Sequence, residues 1–441
     1  MSAGAARRLY TLGWYLALPW VAAYLLLRGL RQPDYRRFWG ERFLGRGARP
    51  ATAGARPAAA PVIWVHAVSV GETRAAQPLV GQLAARYPLA QIVLTHMTPT
   101  GREAAQPMLQ ALIGRITQRY LPYDLPFALR RFLAQVHPSI LILLETEIWP
   151  NLQFEARRAG VPIALVNARL SERSLGRALR WPALMRPAVA ALAVVAAQTE
   201  ADRARWARLY QGPIRVSGNL KFDAAPPAAL LEAGRNWRGR LGGRSVWLFA
   251  STREGEERAI VDALTVAVRS GAPDPVLLFV PRHPQRFDEV ARLLSALGSP
   301  LVRRAQFASM SEQSRVLLGD SMGEMPMYYA MSDMALIGGS LLPLGGQNLI
   351  EACACGCPVL FGPHMFNFSQ AAADALRCGA ALQVSDAAAA VRAMSDLRAD
   401  PSRRQSMADA ALAFAQSHRG AAERTVELIE QLLASAQARG N

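Results

Sequence analysis

The sequence predicts two doubly wound α/β domains behind an amino-terminal apolar helix. Three observations carry that prediction. From residue 61 onwards, short apolar runs alternate with amphipathic stretches, the pattern of a parallel sheet with helices on both faces. The same rhythm restarts near residue 245, after a stretch with no strand pattern. Residues 9–27, finally, contain no charge at all.

A chain of 441 residues has room for two or three domains, and 51% hydrophobic against 19% charged residues gives it sizeable cores to bury. Four cysteines in such a length do not make a disulfide framework, which points to a reducing compartment. The formal net charge is +17, and Lys221 is the only lysine among 50 cations, so arginine is a compositional bias of the whole chain. The excess is uneven: residues 1–60 hold ten Arg against Asp34 and Glu41. No basic stripe with interleaved aromatics and no zinc-finger or RNP-like pattern accompanies it, so nucleic acid is not an expected partner.

The first element is the run at 9–27. As a helix it spans about 28 Å, close to the hydrocarbon core of a bilayer. Trp14, Tyr15, Trp20 and Tyr24 are aromatics favoured at membrane interfaces. Pro19 is tolerated in membrane helices. The run passes straight into Arg28, Arg31, Arg36 and Arg37, unlike a cleaved leader. A membrane anchor is expected, either crossing the bilayer or lying in its interface. The seven Arg between 28 and 49 outweigh Arg7 and Arg8, which places the rest of the chain on the cytoplasmic side, beside an anionic membrane surface. Residues 47–61, rich in Ala, Gly and Pro, read as a flexible connection.

In the first α/β domain, residues 62–67, 92–95, 140–144, 163–166 and 194–197 read as buried strands. Residues 75–86, 128–136 and 152–158 read as helices between them. The boundary falls in 223–244, which contains Pro226-Pro227. The second domain offers strands at 246–250, 276–280, 316–318, 335–337 and 359–361, and a terminal helix at 421–436. The division is 1–30 for the anchor, 31–222 for the first α/β domain and 223–441 for the second, with the terminal helix able to pack back on the first. Ligands in such sheets bind outside the carboxyl ends of the strands, so a cleft between the domains is expected.

The loops after the strands carry the chemistry. Ser69-Val70-Gly71-Glu72 follows the first strand, and Glu72 reads either as a general base or as a helix-capping acid. Glu145 and Glu147 follow the third apolar run; they share a face only if the strand continues through them. Asn167-Ala168-Arg169 adds a cation after the next strand. Lys221 sits in Gly218-Asn219-Leu220-Lys221-Phe222-Asp223, where a compact ammonium rather than a planar guanidinium is retained. In the second domain, residues 251–257, 281–284, 319–324, 338–340 and 345–348 supply Gly, hydroxyls and cations after strand candidates. Together they predict a phosphate- or nucleotide-binding face, with anion contacts from a helix start. Neither GxxxxGK[ST] nor GxGxxG is present. Cys353, Cys355 and Cys357 are too closely spaced for a zinc site and read as small core thiols.

These motifs, in order, resemble the 3-deoxy-D-manno-octulosonic acid (Kdo) transferases of lipopolysaccharide synthesis. The resemblance runs from about residue 9 to near 415. It is carried by YRRFWGER (35–42), HAVSVGET (66–73), THMTPTG (95–101), YLPYDLP (120–126), ETEIWPNL (145–152), NARLS (167–171) and GNLKFD (218–223). In the second domain it is carried by STREGEE, PRHP, GDSMGE, GGSL, GGQNLIE and GPHMFNF. It implies a two-domain, Rossmann-like GT-B glycosyltransferase that moves Kdo from CMP-Kdo to the lipid A precursor, lipid IV-A, at the cytoplasmic face of the inner membrane. The family inverts the anomeric centre and needs no metal or other cofactor in the site.

By motif, the resemblance makes Glu72 the general base and places Glu145 and Lys221 in transition-state stabilisation. It makes Pro281, Arg282, Met322, Gly323, Glu324, Asn348, Leu349, Ile350 and Glu351 the CMP-binding residues. The chain departs from the family's pattern at Gln347 and Leu349, where His and Pro are usual, and at Arg253, where His is common. The competing readings are a GT-B transferase for another nucleotide sugar and a non-catalytic nucleotide-sugar-binding membrane protein.

Overall fold

The computed structural model describes residues 1–47, 60–269 and 275–440. Most of the connection expected at 47–61 lies outside the described residues. The chain forms two compact units: Met1–Ala224 with Arg419–Asn441, and Ala225–His418.

The first unit holds strands β1 (Val62–His66), β2 (Gln91–His96), β3 (Ile116–Tyr120), β4 (Ile140–Leu144), β5 (Ile163–Ala168), β6 (Val194–Ala197) and β7 (Ile214–Val216). They form one sheet in the order β3-β2-β1-β4-β5-β6-β7, with every pairing parallel. Side-chain alternation sorts the strands into two core layers. Ile63, Val65, Ile92, Leu94, Ile140 and Ile142 face one layer, and Val62, Trp64, Val93, Leu141 and Leu143 face the other. Both faces are covered, which is why these strands read as continuous apolar runs.

The second unit repeats the plan. Its strands are β8 (Val246–Thr252), β9 (Val276–Pro281), β10 (Leu301–Arg303), β11 (Val316–Leu318), β12 (Met334–Ile337), β13 (Val359–Phe361) and β14 (Ala381–Gln383). Their order is β10-β11-β9-β8-β12-β13-β14, again parallel throughout. The expected strands are all present. The four strands absent from the sequence reading, β3, β7, β10 and β14, are the four sheet edges. Edge strands are half-exposed and carry Gln118, Arg119, Arg215, Arg303 or Gln383, so no unbroken apolar run marks them.

In both sheets the order in which strands are added reverses at one point, between β1 and β4 in the first unit and between β8 and β12 in the second. Loops leaving adjacent strands there diverge to opposite faces and open a crevice. The carboxyl-terminal helix Ala421–Gly440 belongs to the first unit, where Ala421, Ala422, Val426, Ile429 and Leu433 join the layer of Ala75, Leu79 and Leu83. Asp223 fixes its start by accepting the Gly420 and Ala422 N–H groups, both at 2.6 Å.

The amino-terminal helix α1 (Ala3–Arg31) begins at a Ser2 cap and includes Pro19. Its mean hydropathy reaches 1.3 over an 18-residue window, of which 6% is buried. Leu25 packs with Tyr35, Tyr123, Leu125 and Ala128, and Trp14, Leu18 and Val21 extend that contact.

Candidate active site

Three loops of the first unit converge where its sheet reverses. β1 ends at His66, and Ser69 caps the Val70–Arg86 helix. Glu72 lies in the first turn of that helix. Its Oε2 accepts the Val68 N–H at 2.8 Å and its Oε1 accepts the Ser69 hydroxyl at 3.0 Å. Glu72 is therefore a capping acid by geometry. Burial nevertheless pushes its carboxyl up to about 7. The Val68 N–H opposes that shift, and the neighbouring Glu145 and Glu147 carboxylates add to it.

β4 is the next strand across, and its chain turns immediately after Leu144. Glu145 adopts φ 57°, a left-handed conformation uncommon outside glycine. The turn separates the two acids of ETE. Glu145 accepts a hydrogen bond from Lys221 Nζ at 3.0 Å, with both side chains about one-fifth exposed. Glu147 instead accepts the Trp149 indole N–H at 2.6 Å, and burial raises its carboxyl. Lys221 is held from its own backbone: Asn219 Oδ1 accepts its N–H at 3.0 Å, and Asn167 Oδ1 accepts that of Leu220 at 3.0 Å. The structure thus brings Glu72, Glu145 and Lys221 to one end of one sheet.

Behind Glu72 lies a buried network that the sequence did not single out. His96 Nδ1 is 2.9 Å from the Ala67 carbonyl and 3.2 Å from Thr73 Oγ1, while its Nε2 faces Gln118 Nε2 at 3.2 Å. A carbonyl partner requires Nδ1–H, which leaves Nε2 as the acceptor. Burial lowers this imidazole to about 4, so it stays neutral and bridges the residues on either side of the Glu72 turn.

In the second unit, β8 and β12 flank the reversal. Gly338 admits their close approach, since a Cβ there would lie 2.4 Å from the Ser251 carbonyl oxygen. At the turn after β8 an acid of the chain itself ties two loops together. Buried Glu256 accepts the N–H groups of Arg253, Gly339 and Leu341 at 2.9, 2.6 and 3.0 Å. Positive charge stands at the same end of the sheet. Arg253 follows β8 and Arg282 follows β9, and with burial and Arg286 they depress His283. Pro281 ends β9 and is buried.

Of the other residues assigned to CMP, Met322 is 52% exposed and Gly323 has φ 84°. The Glu324 carboxylate accepts two bonds from Arg304 at 2.8 Å each, which with the Ser321 hydroxyl holds it below the usual range. Asn348 caps the Leu349–Ala354 helix through the Ile350 N–H at 3.1 Å. Leu349 and Ile350 are buried in the core. Glu351 occupies the first turn of the same helix, next to buried Tyr329. Cys353 and Cys357 are buried behind it, and burial raises both thiols.

A protein of Bordetella pertussis named 3-deoxy-D-manno-octulosonic acid transferase is 49% identical to this chain over 406 residues, covering 90% of this chain and 94% of that protein. The chain belongs to the Kdo transferase family. A protein of the same name from Haemophilus influenzae is 35% identical over 434 residues, covering 97% and 99% of the two chains. The family model described as 3-deoxy-D-manno-octulosonic-acid transferase matches residues 37–224, and that of glycosyl transferases group 1 matches 297–414. A solved glycosyltransferase from Rickettsia africae superposes with a TM-score of 0.59 at 13% identity, over 85% of this chain and 99% of its own, a likeness of fold. This Kdo transferase family member is a glycosyltransferase with the GT-B plan of two doubly wound units.

His96 and Glu256 are the residues the sequence did not single out, whereas Glu147 was weighed beside Glu145 and the structure turns it to the Trp149 indole. Glu256 had a signal, as an acid in a helix's first turn. His96 had none, because a buried histidine at a strand end is indistinguishable by sequence from an ordinary core residue.

Proposed function

We propose that this Kdo transferase moves Kdo from CMP-Kdo to the lipid A precursor, lipid IV-A, in lipopolysaccharide synthesis, inverting the anomeric centre with Glu72 as general base. The observation that carries the proposal is Glu72 itself: a half-buried carboxyl at about 7, at the sheet reversal, beside the Glu145–Lys221 pair. Near neutral pH such a group accepts a proton readily.

In this reading Glu72 takes the proton of the acceptor sugar hydroxyl. The freed oxygen pair attacks the anomeric carbon of Kdo, and the bond to the CMP phosphate breaks with its electrons leaving on that phosphate. Lys221, oriented by Glu145, faces the carboxylate of the Kdo unit or the charge that develops at the reacting centre. The proposal gives Arg253 and Arg282 the role of neutralising the departing phosphate and the segments 322–324 and 348–351 that of holding the rest of CMP. Cationic side chains supply the charge neutralisation, so the proposal calls on no metal or other cofactor. The catalytic units work on the cytoplasmic side of the inner membrane, against its anionic surface.

The test supplies CMP-Kdo and lipid IV-A to the purified full-length chain and follows the product by mass. Transfer by the wild type and its loss in Glu72→Ala are expected. No transfer by the wild type, or undiminished transfer by Glu72→Ala, would sink the reading.

A further inference from the structure

The two faces of α1 are unlike, and their difference runs the length of the helix. On one face Arg7, Thr11, Trp14, Leu18, Leu25 and Gly29 all touch the first unit. Arg7 lies 3.5 Å over the Phe154 ring and reaches Asn151 Oδ1 at 3.4 Å, and Thr11 Oγ1 donates to the same oxygen at 3.1 Å. Trp14 packs tilted against Tyr123 at 5.7 Å and stacks on Trp149 at 6.4 Å, and Leu25 is 2% exposed. At 100° per residue these positions fall within one stripe, and from Arg7 to Gly29 it is about 33 Å long. On the opposite face Leu9, Leu12, Leu16, Trp20, Leu27 and Leu30 are 53–71% exposed. Tyr15 extends that apolar surface onto Phe127, which is itself 39% exposed.

We infer that α1 lies in the plane of an anionic phospholipid surface, with its apolar face in the lipid and both ends on the side of the first unit. A helix crossing the bilayer would have to leave the unit it touches over its whole length. Otherwise it would carry the Asp124 carboxylate, Asn151 and Arg7 into hydrocarbon, at several kcal/mol for each unsatisfied group. Asp124 is 1% exposed and accepts the Asn151 and Leu152 N–H groups, so this polar clamp is built into the fold. The occupant is identified by charge. Arg8, Arg28, Arg31, Arg36 and Arg37 are exposed along and just after α1, with only Asp34 against them. Anionic headgroups complement that array, whereas a second copy of the chain would oppose like charges.

The inference rests on the membrane location proposed above and goes further by fixing the helix orientation. Its test places different epitope tags at the two ends of the full-length chain in inner-membrane vesicles. Protease added to inverted vesicles is expected to remove both tags, and added to intact spheroplasts to remove neither. An amino-terminal tag cut only from the outer side would overturn the inference.

A second arm measures flotation with vesicles of phosphatidylethanolamine and phosphatidylglycerol. The double variant Leu16→Glu, Trp20→Glu is expected to lose about tenfold or more in binding, with an unchanged unfolding midpoint. Unchanged binding, or a wild-type dimer in light scattering that this variant dissociates, would overturn it as well. Kdo transfer assayed in detergent reports on the proposed function separately, because a topology failure leaves that activity untouched.

Discussion

The carboxyl of Glu72 makes opposite demands on stability and activity, and the substitution Glu72→Gln separates them. In the folded chain burial holds this group at about 7 instead of the ordinary 4.5. At 1.36 kcal/mol per pH unit, ionising it in place costs about 3 kcal/mol more than in the unfolded chain. Glu72 keeps some solvent contact, so about half of that, 1–2 kcal/mol, is the working figure. The sign follows from proton binding. Because the folded state holds the proton more tightly, Glu72 favours folding below about 4.5, and that contribution is lost as pH rises through about 7. Glu72→Gln is neutral at every pH and lacks this loss.

The assay is thermal unfolding of both proteins in the same detergent at pH 5 and pH 8.5. The variant's midpoint relative to wild type is expected to rise by about 3–6 °C between the two, at about 2–4 °C per kcal/mol for domains of this size. Transfer activity of the variant should meanwhile fall by about 10²–10⁴-fold, the usual worth of a general base. In the wild type, kcat/KM should climb through about pH 7. A midpoint difference that is the same at both pH values, or a variant that keeps its activity, would refute the reasoning.

Three further outcomes are expected. Lys221→Arg keeps the charge beside Glu145 but replaces a point ammonium by a planar fork, so kcat should fall about tenfold or more, and near-normal turnover would remove Lys221 from the site. His96→Ala should lower kcat about tenfold and displace the rising limb of the pH profile, whereas His96→Asn, whose amide N–H can replace Nδ1–H toward the Ala67 carbonyl, should restore both; equal loss in the two variants would mean a merely structural histidine. Glu256→Ala strands one buried and two half-buried N–H groups, so the second unit should lose about 2–3 kcal/mol in denaturant unfolding, and a loss under 1 kcal/mol would contradict the bonding described.

What could be read from the sequence depended on how one-sided each residue's surroundings are. Interior strands such as β4 are buried on both faces, so ILILL announces itself; β3, with Gln118 and Arg119 at a sheet edge, does not. The joining of Glu145 to Lys221 spans 76 positions and was legible only through family motifs, since no local periodicity links two loops brought together by strand order. At the turn after β8 the sequence shows Gly and hydroxyls, but not that Glu256 ties this turn to the loop after β12 by accepting the Arg253, Gly339 and Leu341 N–H groups. The proximity of Arg253 and Arg282 to His283 is likewise supplied only by the fold.

The two readings that Glu72 allowed, cap and base, turn out to need each other. A flexible surface glutamate would sit near 4.5, with no fixed direction for its lone pairs. The cap supplies direction, because Val68 N–H and Ser69 O–H pin both oxygens. Those same donors stabilise the anion and would alone make the group too weak a base. Burial overcomes them, with Glu145 and Glu147 adding repulsion, and the balance settles near neutrality. Lys221 bears on that balance through its partner. While its ammonium is paired with Glu145, part of the repulsion on Glu72 is offset; removing it should raise the Glu72 carboxyl further above 7. A Lys221→Met variant should therefore shift the rising limb of kcat/KM to higher pH as well as lower its plateau, and a limb that stays in place would show that the pair and the base act independently.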